Sequence, residues 1–312
     1  FAETPEGLLA HPDVDIVCLC TPSGDHLAPA LACAKAGKHV VVEKPLEVTL
    51  ARCDELTAAC AKAGVTVAGI LPRRFGAGAV ALKAALEAGR FGKLTMAGAL
   101  IPWWRTQAYY DSAAWRGTFA LDGGGAAMNQ GIHTVDLLLW FLGAPKRVSA
   151  SAGLVAHAGI EVEDIATGWI EFANGCRATL ASSTACWSAT GFPAEIRIHG
   201  TTGAAVLRDD KLTAFEFEKP LPADAAVLAP AAEGGGAGAN DPKAIGHAWH
   251  RSNLEEAIAA IRAGRRPAVD GAEGRKAVEL ILALYQSAQS GGAPVELPLK
   301  RDPMLKKLEL KA

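Results

Sequence analysis

Two stretches of this chain place proton-carrying side chains where a fold could use them. The first is Glu43-Lys44-Pro45, which closes the apolar run His39-Val40-Val41-Val42. Such a run reads as a buried parallel strand, and ligands of open α/β sheets sit at the carboxyl ends of such strands. The residue before a proline is held extended. Lys44 is thereby kept out of a following helix and is placed to exchange a proton with a bound molecule. The competing use of Lys44 is a surface pair with Glu43.

The second stretch is Asn129-Gln130-Gly131-Ile132-His133. With a helix over Ala126 to Leu142, Asn129 and His133 are four apart and share a face. Asparagine can orient an imidazole or bind a hydroxyl; a core histidine satisfied by a backbone carbonyl is the plainer alternative. Asp136, one turn onward, is either a supporting carboxylate or an exposed helical residue.

A third group is Trp103-Trp104-Arg105, Tyr109-Tyr110-Asp111 and Trp115-Arg116-Gly117-Thr118, dense for a chain that is 6% aromatic. Aromatic faces bind sugar rings and nucleobases, and arginine forks grip carboxylates or phosphates. Any one of these residues could equally staple its loop to the core.

Two further patterns are set aside. Asp122-Gly123-Gly124-Gly125 precedes a helix but does not close a βαβ strand, so it is not a dinucleotide turn. Its glycines are expected to let backbone approach substrate. His247-Ala248-Trp249-His250 offers no third metal ligand nearby and is expected to dock a helix.

The elements that position these residues alternate over the first seventy positions. Strands start near Asp15, His39 and Thr66; helices cover Leu27 to Ala36 and Thr49 to Ala63, with a short one opened by Thr4-Pro5. This predicts an α/β fold with a doubly wound parallel sheet. Beyond Arg73 come helices over Ala77 to Ala88, Ala126 to Leu142, Ala248 to Ala263 and Ala272 to Ser290. A strand over Leu94 to Ile101 and strand-like runs from Arg147 to Glu218 predict a large, mostly antiparallel sheet. The division falls at residues 1–73 and 74–312. Lys219 to Ala244, around Gly234-Gly235-Gly236, reads as a mobile loop.

Composition narrows the function. Across 312 residues the net charge is −2, half the residues are hydrophobic and 21% are charged. Nothing there draws the chain to nucleic acid or an anionic membrane, and no apolar stretch is long enough to span a bilayer. An anionic substrate would have to be met by a local cluster. The seven cysteines are odd in number and contain no CxxC pair. They are expected to be reduced core residues of a cytoplasmic protein, with no zinc or other metal site.

Collinear stretches then point to a family. They are Val14-Asp15-Ile16-Val17 leading to Thr21-Pro22-Ser23 and His26; Gly37-Lys38-His39-Val40-Val41-Val42-Glu43-Lys44-Pro45; Gly123-Gly124-Gly125; Gly131-Ile132-His133-Thr134-Val135-Asp136-Leu137; and Gly200-Thr201-Thr202-Gly203. In this the chain resembles the Gfo/Idh/MocA oxidoreductases, the glucose–fructose oxidoreductase and inositol dehydrogenase group. The resemblance implies a Rossmann-type domain binding NAD or NADP and an α/β domain on an open sheet. It implies an NAD(P)-dependent oxidoreductase acting on an alcohol or ketone of a sugar or nucleotide-linked sugar derivative.

The resemblance also implies roles. Lys44 and His133 are catalytic, with Asn129 standing where relatives often carry aspartate. Thr21, Pro22 and His26 face the ribose–phosphate region of the cofactor, Glu43 and Lys44 flank the nicotinamide ribose, and Arg73 reaches the same crevice. Asn129, Trp104, Arg105 and Tyr110 are the expected substrate contacts, and the aromatic loop looks like that of dehydrogenases of nucleotide-linked amino-sugar acids. Family members begin with a Gly-rich turn absent here. The start at Phe1 is therefore expected to lack about one βαβ unit, roughly 30 residues or more. The other reading is a dinucleotide-sensing regulator of the same fold. Homo-oligomerisation, as a dimer or tetramer through the open sheet, is expected of either.

Overall fold

A computed structural model of the chain describes residues 4–209, 211–228 and 246–310. Helix α1 (Pro5–Ala10) starts where Thr4 accepts from the Gly7 N–H at 3.1 Å. Then follow β1 (Ile16–Leu19), α2 (Leu27–Lys35), β2 (His39–Val42), α3 (Leu50–Lys62) and β3 (Val67–Gly69), whose strands pair in parallel in the order β1-β2-β3. Short apolar runs separated by capped helices can bury both sheet faces only with crossover helices, which makes this Rossmann-like sheet. Its three carboxyl ends deliver Thr21, Glu43-Lys44 and Arg73 to one edge.

A short 3-10 turn, Pro72–Phe75, leads to α4 (Ala77–Glu87), β4 (Leu94–Pro102) and α5 (Gln107–Asp111). Helix α6 (Ile132–Leu142) precedes β5 (Pro145–Gly153), β6 (Ile165–Phe172), β7 (Arg177–Ser183), β8 (Glu195–Gly200), β9 (Gly203–Arg208) and β10 (Lys211–Phe217). After α7 (Pro222–Val227), α8 (Ala248–Arg262) and α9 (Gly271–Gln289), strand β11 (Val295–Glu296) completes an eight-stranded sheet ordered β10-β9-β8-β4-β7-β6-β5-β11. Its pairs are antiparallel except β4 with β7, which run parallel. Helices α4, α6 and α9 cover one face. The other face leaves Met96 58%, Leu100 46% and Trp169 39% exposed.

Four expectations change. The helix expected from Ala126 is a π-helical turn, Ala126–Gln130, followed by α6. Of the cysteines, Cys33, Cys53, Cys60 and Cys176 are buried, but Cys18 and Cys20 are exposed because β1 lies at a sheet edge. The first part of the predicted Lys219–Ala244 loop contains α7, while residues 229–244 lie outside the described residues. The C-terminal segment also returns to the first sheet: Gly69 N–H donates to the Val269 carbonyl at 2.8 Å, and Asn253 accepts from Leu71 N–H at 2.9 Å. Residues 74–312 thus supply part of what packs on β3.

Asp136 is not the exposed helical residue of the second alternative. It is 1% exposed and holds Arg74 at 2.6 and 2.8 Å, while Arg74 also reaches Glu273 at 2.9 Å. This buried triad joins the turn after β3 to α6 and α9. No described helix is long and apolar enough to cross a membrane.

Candidate active site

The stub after β2 is fixed from below. Glu47, wholly buried, accepts from the backbone of Leu27 at 3.1 Å and Val48 at 2.7 Å and from Arg52 at 2.7 and 2.9 Å. His26 is also fully buried; Nδ1 lies 3.1 Å from the Pro45 carbonyl and Nε2 lies 3.1 Å from the Thr21 carbonyl. Its ring therefore ties the turn after β1 to the stub after β2. It holds Thr21 and Pro22 in place rather than offering itself to a ligand.

On that base, Lys44 Nζ donates to the Asn129 backbone carbonyl at 2.8 Å and lies 3.4 Å from Asn129 Oδ1. The Lys44–Pro45 peptide is cis. Glu43 stays close, its carboxylate accepting from Lys44 N–H at 3.2 Å. Burial lowers the lysine pKa below its ordinary value; Glu43 and Asp122 pull it back, and Arg116 and Arg105 push it further down.

Asn129 projects from the π-helical turn. The turn forms because Glu163, from the β5–β6 connection, accepts from Gly125 N–H at 2.9 Å and Ala127 N–H at 2.8 Å, with Tyr285 O–H donating at 2.9 Å. The glycine run serves this clamp, correcting the expectation of close approach to substrate. A Cβ on Gly125 would fall 1.7 Å from the Glu163 carbonyl, and one on Gly124 would fall 2.3 Å from the Tyr285 hydroxyl. Burial pushes the Glu163 carboxyl up to about 7 against those donors.

His133 sits at the start of α6. Burial lowers its pKa well below the ordinary histidine range, and the charges of Lys44, Arg73 and His250 act in the same direction. It is a neutral imidazole at neutral pH. Among the described residues, His133 Nδ1 and Gln130 Oε1 are buried without a hydrogen-bond partner. Such orphaned polar atoms fit a site completed by a polar ligand.

The aromatic loop supplies cations. The Arg105 guanidinium lies 5.4 Å from the Trp103 ring and 5.5 Å from Tyr109, and it donates to the Trp104 carbonyl at 2.8 Å. Burial lowers its pKa below the usual arginine value. Arg116 stacks 4.2 Å from the Tyr109 ring and donates to its hydroxyl at 2.7 Å; Gln130 donates to the same hydroxyl at 3.2 Å. Arg73 is buried, 5.6 Å from the Trp103 ring. Behind the loop, the His157–Asp164 pair at 2.9 Å anchors the Arg105 carbonyl through His157 Nε2 at 2.8 Å. Trp104 bridges Ala185 in the backbone, its ring 5.9 Å from His157.

Tyr110 does not join Arg105 and Arg116. Its hydroxyl pairs with Thr184 at 2.7 Å, and its ring packs with Leu154, Ile160 and Val162. Tyr109 holds the arginines instead. Sequence reasoning also passed over Asp122, Gln130, Glu163 and His250. The Asp122–Gly125 run is legible only as glycines; beside the expected docking role of His250, Trp249 and Asn253 also hold α8 against the residues after β3.

The arrangement has a proton-carrying amine, a neutral imidazole and a surplus of cations around one cleft. Thr21, Glu43, Lys44 and Arg73 follow the carboxyl ends of the three parallel strands, the edge at which open α/β sheets bind their ligands. Among the described residues, no group of three or more histidine, cysteine or acidic side chains could hold a metal ion.

Comparison with known proteins gives the same direction. Residues 1–69 match the family described as oxidoreductase family, NAD-binding Rossmann fold, and residues 79–206 match the GFO/IDH/MocA C-terminal domain. A 1,5-anhydro-D-fructose reductase from Ensifer adhaerens is 29% identical over 293 residues, 92% of this chain and 81% of the reductase. The WlbA dehydrogenase from Bordetella pertussis, solved with NADH and UDP-GlcNAcA, superposes with a TM-score of 0.84 at 31% identity, covering 95% of this chain and 83% of that one. WlbA from Chromobacterium violaceum, also with NADH and UDP-GlcNAcA, gives 0.83 at 33% identity, covering 95% and 81%.

Proposed function

This chain belongs to the Gfo/Idh/MocA family of NAD-binding oxidoreductases, and from that premise we propose that it interconverts a secondary alcohol and ketone on an acidic sugar, with Lys44 carrying the hydroxyl proton. The observation behind this is the grip of Asn129 on Lys44. With two N–H directions of the amine aimed at the two oxygens of Asn129 and a third position taken by Cε, one tetrahedral position is left for substrate. In the neutral amine the lone pair occupies it and accepts the hydroxyl proton; in the ammonium an N–H there returns it.

A bound nicotinamide would supply the hydride acceptor for the carbinol carbon in the oxidising direction. The residues manage everything else. The O–H bond breaks toward Lys44 as the C–O bond gains double-bond character, and neutral His133 hydrogen-bonds the same oxygen. Gln130 Oε1 takes a neighbouring hydroxyl. Trp104 lines the sugar site, and Thr21, Pro22, Glu43 and Arg73 hold the cofactor side. Arg105 and Arg116 balance an anionic group on the substrate.

The WlbA proteins were solved with a nucleotide-linked sugar acid. We extend that class to this chain because Arg105 and Arg116 flank the amine. The assignment is tested by following reduced-nicotinamide absorbance over neutral sugars, free sugar acids and nucleotide-linked sugar acids. Turnover with acidic members is the expected result; cofactor binding with no turnover across the panel contradicts it and favours the sensing role. The open sheet face carrying Met96, Leu100 and Trp169 is assigned to a second copy of the chain. All seven cysteines are free, in keeping with a reducing compartment such as the cytoplasm.

A further inference from the structure

Asp122 is a buried carboxylate, 2% exposed, that the chemistry above does not use. Its Oδ2 accepts from Gly117 N–H at 2.9 Å, and its Oδ1 accepts a short hydrogen bond from the Asn129 amide nitrogen. Both partners are donors, the pattern an acceptor-only carboxylate takes. The contact also fixes the Asn129 amide: with Nδ2 committed to Asp122, Oδ1 is left facing Lys44 Nζ. One carboxylate thus links the loop that carries Arg116 to the turn that carries Asn129.

We propose that Asp122 is a positioning residue for Lys44, acting through the Asn129 amide to aim the amine and to keep a negative charge behind it. This rests on the reading of Lys44 as the proton carrier. With Asn129 Oδ1 beside the lysine and Asn129 Nδ2 on Asp122, the charge is set one residue farther back and reaches the amine through an amide. The arrangement satisfies the buried carboxylate without letting it close directly on the ammonium, leaving an N–H or a lone pair for substrate.

The charged and titratable groups around the pair are few. Glu43 adjoins Lys44 at the end of β2, Arg105 and Arg116 face it from the aromatic loop, and His133 feels it from α6. Asp122 in turn acts on Lys44, Tyr109, Tyr110 and Tyr285. Removing Asp122 leaves Glu43, among the described residues, as the carboxylate acting most strongly on the amine.

The test is the pH profile of kcat for alcohol oxidation. Asp122→Asn sets an N–H2 against one of the two donors, Gly117 N–H or the Asn129 amide, so the pair of contacts cannot both persist, and it removes a charge that favours the ammonium. Its acid limb is expected to move down by roughly one pH unit, with kcat lowered roughly 10- to 100-fold at the plateau. Asp122→Glu keeps the charge and misplaces it, so its limb stays while kcat falls. In the Asn129→Ala background, Asp122→Asn adds no further loss of kcat, because the link is already cut.

An unmoved limb in folded Asp122→Asn, or fully additive losses with Asn129→Ala, overturns the proposal while leaving Lys44 as base. Turnover retained by Lys44→Ala removes the reading beneath both. Should Asp122→Asn fail to fold by circular dichroism, Asn129→Ala decides. It leaves the carboxylate on Gly117, and wild-type kcat in that variant overturns the proposal.

Discussion

Lys44 Nζ and the backbone carbonyl oxygen of Asn129 lie 2.8 Å apart although 85 residues separate them along the chain. The contact joins the carboxyl end of a parallel strand to a π-helical turn on the other side of the cleft. A π turn of this kind is rare and marks functional positions more often than chance. Here it aims a carbonyl at an amine that would otherwise continue past it.

Burial lowers the Lys44 pKa from its ordinary 10.5. The base form is therefore reached at a lower pH than for a free lysine, and it accumulates as pH rises. Alcohol oxidation should increase with pH through this pKa, and ketone reduction, which needs the ammonium, should decline over the same interval. Initial rates in both directions across a pH series check the opposed slopes. Parallel slopes would assign the titration to another group.

Arg105 and Arg116 are expected to act on substrate affinity, besides the downward push that each gives the Lys44 pKa. Arg116→Ala and Arg105→Ala should each raise KM for an acidic sugar by roughly tenfold or more, the worth of a charge-assisted contact of about 1.5–3 kcal/mol, and leave KM for a neutral analogue nearly unchanged. Steady-state kinetics on a matched pair of acidic and neutral substrates measures the difference. Equal changes for both would mean that the arginines brace the loop.

Local patterns carried most of the fold. Thr49 caps α3 by accepting from Arg52 N–H at 3.3 Å, a contact spanning three residues, and the apolar run before Glu43 announces β2. The parallel pairing of β4 with β7 sets Met96–Pro102 against Arg177–Ser183 and has no local signature. In the site, Lys44, His133, Asn129 and Arg105 were legible from residue type and position. The choice of Tyr109 over Tyr110 was not, because α5 is a helix of five residues and its phase depends on Thr184 and Arg116. Nor was the π turn, which exists because Glu163 arrives from the next hairpin to take two N–H groups.

Glu163 should leave a signature in stability. Burial holds its folded pKa at about 7, above the ordinary glutamate value of 4.5. Folding therefore favours its protonated form: the contribution is complete below 4.5 and is lost as pH rises toward about 7. The size for a wholly buried group is on the order of 3 kcal/mol. Urea unfolding at a series of pH values should show stability declining across this window in the wild type, with a flatter profile in Glu163→Gln. Identical slopes would place the titration elsewhere.

The open sheet face predicts self-association. Met96 and Leu100 lie four residues apart on β4, on the same face of the strand, with 58% and 46% of their surface exposed. Met96→Glu with Leu100→Glu should convert an oligomer to monomer in sedimentation velocity while leaving the circular dichroism spectrum in place. A wild-type chain already monomeric at micromolar concentration would refute the assignment.

The central claim is that Lys44 moves the proton, and Lys44→Ala tests it most directly. Cofactor affinity, read by nicotinamide fluorescence, should stay within a few-fold of wild type. Turnover of an acidic sugar should fall by roughly 100- to 10,000-fold, the range of a lost general base. Turnover that persists near the wild-type rate in a folded Lys44→Ala protein would contradict the account.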